Sequence, residues 1–88
     1  MKVIEKKTLP EYFEKVKNGE KTFEVRLADF KCSHGDVLVL KEWDPKIKKY
    51  TGRVVKKKIG FVIKTKDLEK FWNKSEIKKY GFQVIGFK

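Results

Sequence analysis

The chain has 88 residues, 40% of them charged, with 23 basic against 12 acidic side chains and a net charge of +11. That length makes one domain, residues 1–88, with a single small core, because a chain of this size buries only about 60% of its unfolded surface. No run approaches the ~20 apolar residues of a membrane span, and a single cysteine, Cys32, rules out an internal disulfide.

Met1 to Glu5 holds no apolar signal-like stretch, and the expected setting is a reducing cytoplasm with no membrane partner. Lys2 to Lys7 alternates loosely and reads as a first strand. Thr8-Leu9-Pro10-Glu11 reads as a helix start, with Thr8 as cap, Glu11 completing a capping box and Pro10 tolerated in the first turn. Leu9, Tyr12, Phe13 and Val16 then form an apolar stripe at helical spacing, and Asn18-Gly19 ends the helix through a left-handed residue.

From Thr22 to Leu27 the pattern alternates, and a strand is expected. Phe23, Val25 and Leu27 share one side; Thr22, Glu24 and Arg26 share the other. An acid and a base thus stand side by side, with Lys21 at the strand mouth. Strict alternation sends Lys21 to the face opposite Glu24, so a shared site needs a bend or bulge there. The plainer alternative is a half-exposed ion pair worth little.

Ala28 to His34 reads as irregular, with Phe30 plugging the core from a loop. His34 before Gly35-Asp36 reads as a surface turn residue, and Cys32 has no neighbouring base that would make it a nucleophile. Val37-Leu38-Val39-Leu40 is apolar on both faces, as suits a strand covered on both sides. Asp44-Pro45 opens a basic loop to about Gly52, and Trp43 and Tyr50 on either side of it suit base stacking or the closure of a minor core. Arg53 to Lys64 is expected as a second long strand, with Val55, Ile59, Phe61 and Ile63 on one face and Gly60 marking a bulge or close approach. Thr65 to Glu69 starts a second helix carrying Leu68, Phe71 and Trp72, a short basic tail runs from Lys74 to Lys79, and Phe82 to Phe87 reads as a closing strand. The expected fold is α+β: a small, mixed-sheet β-barrel with two or three helices on one side.

Net positive charge favours a polyanion such as RNA, DNA or a nucleotide phosphate. Twenty-one of the 23 basic residues are lysine, however, and a Lys/Glu-rich surface is also a hyperthermophile trait. The two arginines, Arg26 and Arg53, are more informative, since a planar fork suits carboxylate or phosphate as lysine does not.

Gly19, Lys21, Glu24 and Arg26 fit the G-x-K-x-x-E-x-R signature of the ASCH domains, small relatives of the PUA fold. Leu9 to Glu14, Gly35 to Leu40, Glu42-Trp43-Asp44-Pro45 and Tyr50-Thr51-Gly52-Arg53 extend the likeness. Together they resemble a small ASCH-like family of unassigned function over roughly residues 5–64, and the C-terminal third matches poorly. The resemblance implies a PUA-like barrel and supports an RNA or nucleotide ligand; the chain itself, with no Cys/His cluster at zinc-ligand spacing, is expected to be a monomer without cofactor or metal. Its contacts would be Lys21, Thr22, Glu24, Arg26, Trp43, Tyr50 and Arg53.

It also implies a second function. Some ASCH proteins are amidohydrolases acting on acylated cytidine, using the motif lysine, a threonine nucleophile and a glutamate; others have been described as ribonucleases. Lys21 and Glu24 would be the catalytic pair. Here Glu24 occupies the place of that threonine while Thr22 stands two residues earlier, and a carboxylate does not do a hydroxyl's work. Glu24 beside Lys21 favours the ammonium, so Lys21 is expected to grip a ligand rather than move a proton. A third possibility is a structural, partner-binding domain whose motif residues only knit the barrel.

Overall fold

The computed structural model describes residues 1–87. In chain order it contains β1 (Val3–Thr8), α1 (Pro10–Lys17), β2 (Val37–Asp44), β3 (Lys49–Lys58), α2 (Thr65–Leu68), a 3-10 turn (Glu69–Phe71) and α3 (Lys74–Tyr80). The three strands make one mixed sheet in the order β1-β2-β3. β1 runs parallel to β2, with Val3 opposite Val37 and Thr8 opposite Glu42; β3 runs antiparallel, with Lys58 opposite Val37. A parallel pair needs a long crossover, and α1 with residues 18–36 supplies it.

The apolar run of β2 takes the central position, where a strand is hydrogen-bonded on both edges. Val16 of α1 packs on Leu38 and Leu40, with Ile4, Val55 and Ile59 around them. Phe13 and Leu40 are the largest fully buried side chains, each contributing about 1.5–3 kcal/mol on burial. Asp36 ties the start of β2 to its surroundings. Its carboxylate accepts from the Lys2 N–H at 2.9 Å and the Ser33 N–H at 3.0 Å, and those bonds hold its pKa below the usual carboxylate value. Among the described residues, no helix is long and apolar enough to cross a membrane.

The α+β class expected from the sequence is observed, with three short helices, but the sheet of described strands is open rather than closed. Residues 22–27 and 82–87 form no strand. Alternation records which side chains share a side of an extended chain; a ladder also needs a partner edge in register. The two segments nevertheless meet: the Thr22 hydroxyl donates to the Phe87 carbonyl at 3.5 Å, and a Cβ on Gly86 would fall 2.9 Å from the Phe23 ring.

Other boundaries move for local reasons. The expected Thr8/Glu11 capping box is not formed: Leu9 is the N-cap, without a side-chain cap, because Thr8 still belongs to β1 and its hydroxyl accepts from Arg26. A capping box does form between Asn73 and Glu76, so the lysine-rich stretch read as a tail is α3. β3 begins at Lys49 because Asp44 Oδ1 accepts from the Lys46 N–H at 2.9 Å and tightens the hairpin. It ends at Lys58, and Ile59 and Gly60 then bond to residues 34–36. Gly19 has a φ of +85°, as the helix end requires. Lys88, the end of the expected domain, lies outside the described residues.

Candidate functional site

After Gly19 the chain folds back along α1, and the Lys21 N–H donates to the Lys15 carbonyl at 2.8 Å. With no ladder to hold residues 21–26 flat, the path bends and the alternation rule lapses. Lys21 and Glu24, assigned by strict alternation to opposite faces, meet: Lys21 Nζ lies 2.5 Å from Glu24 Oε1. Arg26 Nε donates to the other carboxylate oxygen at 2.9 Å, and its Nη2 donates to Thr8 Oγ1 at 2.9 Å. Glu24 is therefore clamped between two cations, with all three side chains mostly withdrawn from solvent (17%, 18% and 26% exposed).

This cluster lines a cleft of about 730 Å³ between the end of β1, α1 and residues 20–26. The ammonium of Lys21 sits 5.3 Å from the Phe23 ring centroid and 5.8 Å from that of Tyr12, and both rings line the cleft. Lys7, Lys15, Lys21 and Arg26 set four cations there against the carboxylates of Glu20 and Glu24. The cleft thus combines positive charge, two aromatic walls and one oriented carboxylate. Two of the five N–H donors of Arg26 are used by Glu24 and Thr8.

Arg53 stands outside this cleft. Its guanidinium donates to Glu14 of α1 and, at 3.5 Å, to Oε2 of buried Glu42, and it lies 4.8 Å from the Phe13 ring centroid. The Glu14 hydrogen bond raises the Arg53 pKa, and the same bond lowers that of Glu14. A bulge makes this geometry: Lys41 pairs with Val54 and Trp43 with Tyr50, so Glu42 alone faces Thr51, Gly52 and Arg53. Gly52 adopts a φ of +94°, and the Thr51 hydroxyl donates to Glu42 Oε1 at 2.7 Å. Because Thr8 and Glu42 are opposed in the β1–β2 register, the Arg26 and Arg53 clusters adjoin across one strand pair.

Trp43 and Tyr50 meet edge to face at 5.0 Å near the hairpin end, outside the cleft, with Lys7 Nζ 3.8 Å from the Trp43 ring and Lys41 Nζ 4.7 Å from the Tyr50 ring. Thr22 does not line the cleft. The sequence singles out Lys21, Glu24 and Arg26, with a bend needed to bring Lys21 to the others, but gives no role at the site to Tyr12, Thr8, Glu14 or Glu42. Tyr12 had the signal of being the polar-tipped member of the α1 stripe; Glu42 shows no sequence signal of its burial. Among the described residues, no group of three or more His, Cys, Asp or Glu side chains is placed to hold a metal ion.

The profile of one protein family, described as "Domain of unknown function (DUF3850)", matches residues 3–73. The chain belongs to that family. No curated protein and no solved structure matches it. The DUF3850 match spans β1 to the start of the last helical segment, so it takes in the Lys21–Glu24–Arg26 cleft and the Arg53–Glu42 cluster and stops just before α3.

Proposed function

We propose that this DUF3850 chain is an RNA- or nucleotide-binding domain of the PUA-like kind, acting as a cytoplasmic monomer, whose ligand enters the Lys21–Glu24–Arg26 cleft. The observation that carries it is the convergence of Lys21 and Arg26 on Glu24 in a cleft that the Tyr12 and Phe23 rings also line. Cations attract a phosphate, the aromatic walls suit a base, and an oriented carboxylate accepts from an exocyclic amino group. The net charge of +11 supports a polyanionic partner, and the likeness of Gly19, Lys21, Glu24 and Arg26 to the ASCH signature supports the same ligand class. The approach of Thr22 and Phe23 to Gly86 and Phe87 supports a PUA-like path, since a closing strand would lie there.

Fluorescence anisotropy with labelled single-stranded RNA, and calorimetry with the four nucleoside monophosphates, test this at low and moderate salt. Expected is weak binding that falls with salt, each neutralised phosphate adding about 0.7 to the log–log slope. Arg26→Lys should weaken it, because the fork that holds Glu24 and Thr8 at once is lost. Absence of binding to RNA and to every mononucleotide at low salt defeats the proposal.

A further inference from the structure

Outside the cleft, three aromatic rings are linked through Trp72. Phe71 closes the 3-10 turn, Trp72 follows it, and Phe82 lies just beyond α3. The ring centroids of Phe71–Trp72 and Trp72–Phe82 are each 6.0 Å apart, with planes inclined at 71° and 65°. The rings keep 64%, 48% and 38% of their residues' surface exposed, and none belongs to the core around Val16 and Leu40 or to the cleft. Their edge-to-face contacts hold them to one another while ring surface stays open to solvent.

The segment that carries the rings is basic in sequence. From Lys64 to Phe82 the chain carries six lysines and three acids, and one of those acids, Glu76, is engaged in the α3 capping box. Among the described residues, none of the six lysines is held in an ion pair. The ammonium of Lys70 lies 5.3 Å from the Phe71 ring centroid, and that of Lys79 lies 5.3 Å from the ring of Tyr80.

An apolar protein partner would cover these lysines without supplying counter-charge, at a desolvation cost. A second copy would bring another +11 against the first. A single-stranded polynucleotide meets both demands, since every base has a π face and every linkage carries a negative charge. We infer that Phe71, Trp72 and Phe82, with Lys70 and the flanking lysines, form a stacking platform for a single-stranded polynucleotide. It shares a polyanionic partner class with the cleft but stands on different residues.

The chain has two tryptophans, so Trp43→Phe leaves Trp72 as the one indole reporter. That background is titrated with oligouridylate and, separately, oligothymidylate of ~12 nucleotides, within the range of common single-strand site sizes. Expected is saturable quenching of Trp72 emission. In the same background Phe71→Leu should weaken anisotropy-read affinity about tenfold, the loss of one stacked base. Lys70→Gln should lower the salt slope by about 0.7. Equal response to the two oligomers marks a platform blind to the sugar, and a preference names the polymer it takes; either supports the platform. Quenching that persists with Arg26→Lys keeps the platform even if the cleft proves empty. Binding without Trp72 quenching, or unchanged affinity in a Phe71→Leu protein whose melting curve matches its parent, overturns the platform and leaves the cleft to be judged separately. Concentration-dependent dimerisation by sedimentation that protects Trp72 without nucleic acid also overturns it, in favour of a second copy.

Discussion

Replacing Glu24 by Gln removes the charge that two cations share. In the native arrangement Lys21 Nζ is 2.5 Å and Arg26 Nε is 2.9 Å from its two oxygens. At an effective dielectric constant near 20, one pair at about 4 Å is worth roughly 4 kcal/mol before desolvation is counted. With side chains 17–26% exposed, solvent screening and desolvation remove much of that, and the expected loss lies between the surface and buried limits, at about 1–2 kcal/mol. For a domain this size, each kcal/mol moves Tm by about 4–8 °C. Circular dichroism melts of wild type, Glu24→Gln, Arg26→Lys and the double variant measure the shift and the coupling, expected at about 0.5 kcal/mol or more. The shift should shrink at high salt, though less than for an exposed pair. A Tm unchanged within about 2 °C, with additive single effects, would show that the clamp contributes nothing and that these are unrelated side chains.

Acid should weaken the fold. The Asp36 and Glu14 pKa values are both lowered, by the Lys2 and Ser33 N–H groups and by Arg53 respectively. Their contribution is therefore complete above the unfolded-state values near 4 and is lost as pH falls through the lower folded values. Tm measured from pH 6 to pH 2 should drop below about pH 4, and Asp36→Asn should flatten that limb; an unaltered limb refutes the assignment. Gly52→Ala forces a side chain into φ +94° at the bulge and should cost about 1–3 kcal/mol by denaturant melts, with an effect below 0.5 kcal/mol counting against the bulge as the source of the Glu42 geometry. Purified protein incubated with N-acetylcytidine should show little deacetylation by chromatography, because Thr22 lies outside the cleft and Glu24 is clamped. Clear turnover lost in Lys21→Ala would instead make the protein a hydrolase.

Local chemistry settled several features without tertiary help. The two-sided apolar run Val37–Leu40 has no stable place except a covered strand, and it lies at the centre of the sheet. Tyr12, Phe13 and Val16 recur at helical spacing, and Gly19 is free to take positive φ, so the α1 region and its end were legible from adjacent residues. The candidate cluster was legible in part: Lys21, Glu24 and Arg26 were singled out by residue type and spacing, although alternation assigned Lys21 to the wrong side. Only the tertiary structure bends residues 21–26 onto α1 and lets one carboxylate hold two cations, because that path depends on a hydrogen bond to Lys15 and on Thr8 at the end of β1. The same holds for Arg53. Its planar fork marked it in the sequence as a group for anions, but the anions that engage it, Glu14 and Glu42, lie 39 and 11 residues away and meet it only through a helix packing and a bulge. Alternation in residues 22–27 and the two-sided apolar run of residues 82–87 carried no information about a pairing edge, which is a property of two segments together and not of either one.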